Sequence, residues 1–86
     1  MSLQFIGIDP ETGDKASPTV WVDQEKAELV LQGWRPDVSL EAECAAFELP
    51  GHAKGIPESE AVIRIPARMV HMIREACDAV ERADLR

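Results

Sequence analysis

Three stretches in the first half of the chain alternate between hydrophobic and polar residues, as β-strands do when their side chains point to opposite faces. Residues 3–9 alternate with a period of two. Residues 19–23 and 28–34 are rich in β-branched and aromatic residues, and a short polar connector separates them. Turn-forming residues at 9–14, with the sequence Asp-Pro-Glu-Thr-Gly-Asp, follow the first stretch. Together these features predict a three-stranded antiparallel meander.

The strongest periodicity lies at the C-terminal end of the chain and predicts a long amphipathic helix. Pro66 suits the first turn of this helix, and the pattern continues to about Ala83. Charged and polar residues occupy most of the opposite side. The stripe predicted to pack on the sheet contains Met69, Val70, Ile73, Ala76, Cys77 and Val80.

The region between the meander and the long helix predicts a shorter helix, a loop and a further strand. Ser39 is placed to cap a short helix over residues 39–48. Residues 50–58 contain two glycines and two prolines, which predicts a flexible loop. Residues 60–65 alternate again and predict a fourth strand. The C-terminal residues 84–86 are expected to fray.

These elements predict one α+β domain spanning residues 1–86. Its centre is a small antiparallel sheet of about four strands, the meander plus one, with the long helix packed on one face. A chain of 86 residues can bury only one core. The face under the helix is predicted to consist of Ile6, Ile8, Val20, Val22, Leu29, Leu31, Ile63 and Ile65.

The opposite face of the predicted sheet is apolar, although a sheet face left in water should be polar. Either the 39–49 segment covers it as a second core layer, or a second chain binds to it. The residues that alternation assigns to this face are Phe5, Trp21, Val30, Trp34 and Val62, and the covering residues would be Leu40, Cys44 and Phe47.

The whole chain has a net charge of −7, and its acidic residues are concentrated in the first two thirds. Residues 1–60 carry twelve acidic and four basic side chains, whereas residues 61–86 are nearly neutral. Such a field repels nucleic-acid phosphates and anionic lipid, so we expect neither direct nucleic-acid binding nor membrane binding. A basic protein partner would be attracted, although the same charge also serves solubility.

Apolar runs and cysteine usage predict a cytoplasmic protein. No uninterrupted apolar run is long enough to span a bilayer, and the N-terminal residues lack the pattern of a secretion signal. Cys44 and Cys77 fall in apolar helical patterns, and a small secreted domain held by disulfides normally carries more cysteines. Both are therefore predicted to be buried thiols.

Residues that could carry chemistry are sparse, and no catalytic, metal or cofactor site is predicted. His71 and Glu75 lie one helical turn apart and could share a metal or a proton, with Asp78 nearby. A zinc site needs three or four converging ligands, and the sequence has no C-x-x-C or H-E-x-x-H motif. The turn at 9–14 departs from a calcium loop because Gly13 stands where a ligand belongs. A solvated helical face and a hairpin turn explain these residues more simply.

Four strings of the chain resemble those of small acidic actinobacterial proteins that are often encoded beside helix-turn-helix regulators. The strings are FIGIDPETGD, PTVWVD, LVLQGW and AVIRIPARMVHMIREA. They are strand, turn and core patterns, and the resemblance carries over no catalytic residues. It implies a setting near a transcription regulator, which favours a protein partner over a small-molecule substrate.

The sequence therefore predicts a non-enzymatic protein–protein interaction module, a regulatory accessory protein that binds a partner such as a helix-turn-helix regulator or forms a homodimer. Two alternatives stay open. One is a metal-binding protein or small enzyme that uses His71 and Glu75, and the other is an acidic DNA mimic that inhibits a helix-turn-helix regulator. The predicted apolar patch consists of Phe5, Trp21, Val30 and Trp34, with Asp23, Glu28 and Arg35 at its rim.

Overall fold

The computed structural model describes residues 2–13 and 17–85 and confirms an α+β fold. A three-stranded antiparallel sheet, in the order β1–β2–β3, is formed by β1 (Leu3–Ile8), β2 (Thr19–Asp23) and β3 (Glu28–Gln32). The helices are α1 (Val38–Ala46), a short 3₁₀ turn (Ala67–Met69) and the C-terminal α2 (Val70–Asp84). No helix in these described residues has the length and apolar character needed to cross a membrane.

Contacts divide the chain into two compact units. The first, Met1–Gly33 with Ile65–Arg86, contains the sheet and α2, and the second, Trp34–Arg64, contains α1. Residues 50–58, in the second unit, form turns and bends, and their flexibility stays a prediction. Residue 86 of the predicted frayed end lies outside the described residues.

β1 contains a bulge that changes which of its side chains face α2. The pairing register shifts between Phe5 and Gly7, so Ile6 is an extra residue in the strand. A strict alternation placed Ile8 under the helix, and this prediction was wrong. Ile8 lies on the same side as Phe5 and is 43 % exposed. Gly7 instead shares the α2 side with Val20.

The core of the first unit is small and lies between β2 and α2. Two of its five buried apolar residues are alanines, which let the helix approach the sheet closely but bury little apolar area. Most of the buried apolar volume therefore comes from the other three. The core residues are Val20, Val22, Met69, Ala76 and Ala79, with Ile6, Ile65, Met72, Ile73 and Val80 packed against them.

The buried stripe of α2 is rotated relative to the prediction. Met72 and Ala79 face the core, whereas Val70 is 41 % exposed and Cys77 is exposed. Each residue of an α-helix advances by about 100°, and the fully buried Ala76 lies near the middle of the stripe, so Cys77 is turned about 100° away from the core. The prediction of a buried thiol at Cys77 was therefore wrong.

α1 begins earlier than predicted, and most of its residues are exposed. Asp37, not Ser39, is its N-cap, and the Asp37 carboxylate accepts a hydrogen bond from the Leu40 backbone N–H at 2.8 Å. Aspartate caps a helix as well as serine does. Because α1 buries none of its residues, Cys44 is exposed, which contradicts the prediction of a buried thiol there. Phe47, which follows the helix, is 66 % exposed.

The structure does not show the predicted fourth strand at residues 60–65. Among the described residues of this stretch, pairing is limited to one isolated bridge between Arg64 and Trp34. Prolines explain this limit, because Pro36 and Pro66 each lie two residues beyond the bridge and cannot donate a ladder hydrogen bond. The sheet therefore has three strands rather than about four.

Gly7 lies where β1 comes very close to α2. A Cβ at this position would stand 2.5 Å from Met72 Sδ and 2.8 Å from Met72 Cγ. We expect Gly7→Ala to lower the free energy of unfolding by about 1–3 kcal/mol, because Met72 must leave its packed position. Urea unfolding measures the loss. In a Met72→Ala background the same change should cost far less, and an equal cost in both backgrounds would assign the effect to another cause.

Candidate functional site

The open face of the sheet, which is the face turned away from α2, carries aligned apolar side chains. Phe5, Trp21 and Val30 are direct partners across the three strands. Paired residues of an antiparallel sheet point to the same side, with Cβ atoms about 5 Å apart. Each strand thus contributes one residue to a line that we call the apolar row.

The apolar row is accessible. Phe5 is 58 % exposed, and Trp21 and Val30 are half-buried. Leu3 and Ile8 lie on the same face of β1, and both are exposed. Contiguous exposed apolar residues of this kind mark interaction surfaces more often than scattered ones do.

Two predicted rim residues stand beside the row at the β2–β3 turn. Asp23 is buried, and its carboxylate accepts hydrogen bonds from the backbone N–H groups of Glu25 and Lys26, both at 3.0 Å. These bonds shape the turn, as short acidic side chains commonly do. Glu28 pairs with Asp23 across the ladder and is exposed. Glu28 is therefore the member of this pair that presents its side chain to solvent.

The remaining predicted site residues, Trp34 and Arg35, lie in the second unit. Trp34 is 37 % exposed and exchanges two backbone hydrogen bonds of 2.9 Å with Arg64. Arg35 is exposed. The structure thus aligns three of the four predicted patch residues in the apolar row, and a shared surface with Trp34 stays a prediction.

An ion pair between a buried carboxylate and a partly exposed guanidinium in the first unit was not predicted from the sequence. Asp9 follows β1 directly, and its side chain is completely buried. Arg68 Nε donates to Asp9 Oδ1 at 2.6 Å, and Arg68 Nη2 donates to Asp9 Oδ2 at 2.7 Å. Two groups of the turn also bind this carboxylate: the Glu11 backbone N–H at 3.2 Å and the Thr12 hydroxyl. Hydrogen bonding from Arg68 lowers the pKa of Asp9, and this effect outweighs burial, which raises it.

The ion pair gives the acidic turn a structural role. Glu11 Oε2 lies 3.8 Å from Arg68 Nε, so Arg68 stands close to both acidic side chains. Asp14, the last member of the predicted turn, lies outside the described residues. The Asp-Pro-Glu-Thr string is a local signal for a turn closed by an Asp side chain. No local signal reveals the partner, because Arg68 is 59 positions away from Asp9.

The residues of the alternative metal site lie on the outer side of α2. His71, Glu75 and Asp78 are all exposed. Within residues 2–13 and 17–85, no group of three or more His, Cys, Asp or Glu side chains is arranged to hold a metal ion. A metal-binding or enzymatic role for this cluster stays an untested alternative.

Comparisons with known proteins do not assign the chain to a family. No protein-family model matches it, and neither a curated protein nor a solved structure shows significant similarity.

Proposed function

We propose that this protein is a non-enzymatic protein–protein interaction module whose binding surface is the open face of the sheet. The observation that carries the proposal is the apolar row, in which an exposed Phe5 continues into Trp21 and Val30. Apolar area removed from water stabilises a complex by about 25 cal/mol per Å² before the costs of association. Large aromatic residues are also enriched at the centres of interfaces.

The charge of the chain supports a basic partner. The net charge is −7, and Glu28 presents an exposed carboxylate beside the apolar row. An apolar ridge bordered by lysine or arginine would complement this surface in shape and charge. The resemblance of the four strings supports a regulatory accessory role, with a helix-turn-helix regulator as the partner.

A DNA mimic is the alternative that uses the same partner through a different surface. It would present acidic side chains to the DNA-binding helix and would not need the apolar row. Binding between opposite charges weakens steeply as salt is added, whereas apolar binding depends little on salt. The effect of Phe5→Ser, taken together with the salt dependence of binding, therefore separates the two proposals.

Phe5→Ser should weaken binding to the proposed helix-turn-helix partner by at least about tenfold, because it removes the exposed aromatic side chain of the apolar row. The exposed position of Phe5 should leave the fold intact. Isothermal titration calorimetry with the purified regulator measures the affinity. Leu85→Ser is the matched control, since Leu85 is an apolar residue that is 86 % exposed and lies beyond the end of α2.

Leu85→Ser should bind as the unmodified chain does. Equal affinities for Phe5→Ser and the unmodified chain would exclude the open face as the binding surface. If both affinities also fell steeply with salt, DNA mimicry would replace the proposal. A regulator that binds none of the chains would not be the partner.

A further inference from the structure

The two edges of the sheet differ in how they are protected. The order β1–β2–β3 leaves β1 and β3 as edge strands, and the bulge disrupts β1. β3 pairs with β2 in an unbroken register and contains no proline, lysine or bulge. Proteins usually blunt exposed edges with such features, because an open edge can pair with another strand. β3 is therefore an open edge.

The hydrogen bonds of β2 identify which backbone groups β3 turns outward. Pro18 and Gln24 flank β2: the Pro18 carbonyl accepts a hydrogen bond from the Asp9 N–H, and the Gln24 N–H donates one to the Ser2 carbonyl, each at 2.9 Å. The even-numbered residues of β2 lie in phase with these two and therefore form their backbone hydrogen bonds with β1. Odd-numbered residues, including Trp21, consequently bond toward β3. Their partners in β3 are residues 28, 30 and 32, because directly opposed residues exchange these bonds.

The N–H and C=O groups of Leu29 and Leu31 consequently point away from the sheet. In the described chain, none of the backbone hydrogen bonds outside the ladders involves residues 28–32. The Leu29 and Leu31 side chains, on the α2 side, are 39 and 37 % exposed. Both the backbone and the side chains at this edge are therefore accessible.

We propose that two copies of the chain pair their β3 strands antiparallel about Val30 and form a continuous six-stranded sheet. In this register Leu29 of one copy opposes Leu31 of the second copy, and each pair exchanges two backbone hydrogen bonds. The two Val30 residues oppose each other on the two-fold axis. The strand sequence Glu-Leu-Val-Leu-Gln is thus complementary to itself.

The charged side chains of the two paired β3 strands also favour this register. Glu28 opposes Gln32 of the second copy at both ends of the paired strands, so no carboxylate faces another across the interface. The apolar rows of the two copies also join end to end through the two Val30 residues. The open face of the dimer would then carry a row twice as long, although the dimer does not depend on the proposed function of that face.

Leu29→Pro tests the edge directly. It removes an outward N–H and leaves the hydrogen bonds of β3 to β2 in place, so the chain should stay folded. We expect sedimentation equilibrium to show a dimer for the unmodified chain and an association constant at least about tenfold lower for Leu29→Pro. Leu85→Ser, at an exposed apolar position beyond the end of α2, is the control and should remain dimeric.

Substitutions at Gln32 test the register without altering the backbone. Gln32→Lys should strengthen the dimer about fivefold by placing a cation opposite Glu28 of the second copy, and Gln32→Glu should weaken it by a similar factor. Added salt should reduce both effects. Circular dichroism establishes that each variant is folded, because Gln32 Nε2 also donates to the Ser17 carbonyl at 2.7 Å.

Two outcomes would overturn the proposal. The first is a monomeric unmodified chain, and the second is a dimer that responds equally to Gln32→Lys and Gln32→Glu. Loss of the dimer in Phe5→Ser, with no change in the Gln32 variants, would instead assign self-association to the open face.

Discussion

Met69→Ala should lower the free energy of unfolding by about 2–5 kcal/mol, the range for truncating a buried methionine. Met69 is fully buried and is the largest such side chain in the described structure. The core around it is small and contains Ala76 and Ala79, so few neighbouring side chains can move to fill the cavity. Because small domains are stable by only about 5–15 kcal/mol, the loss is a large share of the total.

Urea unfolding followed by circular dichroism measures this loss. Val70→Ala is the matched control, since Val70 is the next residue and is 41 % exposed. Alanine also has the higher helix propensity, so the control should change stability by less than about 1 kcal/mol. Equal losses for the two variants would show that Met69 does not anchor the core.

Arg68→Met should destabilise the fold more than the same substitution at any exposed arginine of α2. It removes both guanidinium hydrogen bonds from Asp9 and leaves a carboxylate whose side chain is completely buried. A buried charge without its partner is strongly unfavourable. Thermal unfolding at neutral pH measures the effect, with Arg74→Met as the control on the exposed side of α2.

Adding Asp9→Asn to Arg68→Met should restore part of the lost stability, because the substitution removes the uncompensated charge. If the double variant is less stable than Arg68→Met, the ion pair is not the cause. The comparison uses the same unfolding measurement for all four chains.

The pH dependence of this ion pair has a definite sign. Hydrogen bonding from Arg68 lowers the pKa of Asp9 in the folded chain, so the folded state holds its proton less tightly than the unfolded state. The contribution of the pair is therefore fully present above the pKa of an unfolded aspartate and is lost as the pH falls through the lowered pKa. The difference in stability between the unmodified chain and Arg68→Met should shrink over that acidic range.

Local sequence patterns predicted those strands and helices whose side chains repeat at the regular spacing of the backbone. The β-branched residues of β2 and the helical period of α2 are repeated signals, and the structure contains both elements. The bulge after Phe5 has no such signal, and one extra residue moved Ile8 to the other face. At residues 60–65, alternation predicted a strand, but nearby prolines limit its pairing.

The site was predictable to the extent that it follows from strand alternation. Phe5, Trp21 and Val30 share a face because each lies in phase with its partner across the ladder. Asp9 and Arg68 could not be paired in this way, because long-range side-chain geometry determines their contact. Ion pairs between distant segments leave no periodic trace in a sequence.

The bridge between Trp34 and Arg64 has a consequence for how relatives of this chain can vary. These two residues are the first and the last of the second unit, and they are hydrogen-bonded to each other. A segment whose ends are held together can change in length without displacing the flanking chain. Each doubling of the length of a flexible loop lowers the free energy of unfolding by only about 0.6 kcal/mol. We expect insertions, deletions and sequence divergence among relatives to concentrate between residues 35 and 63.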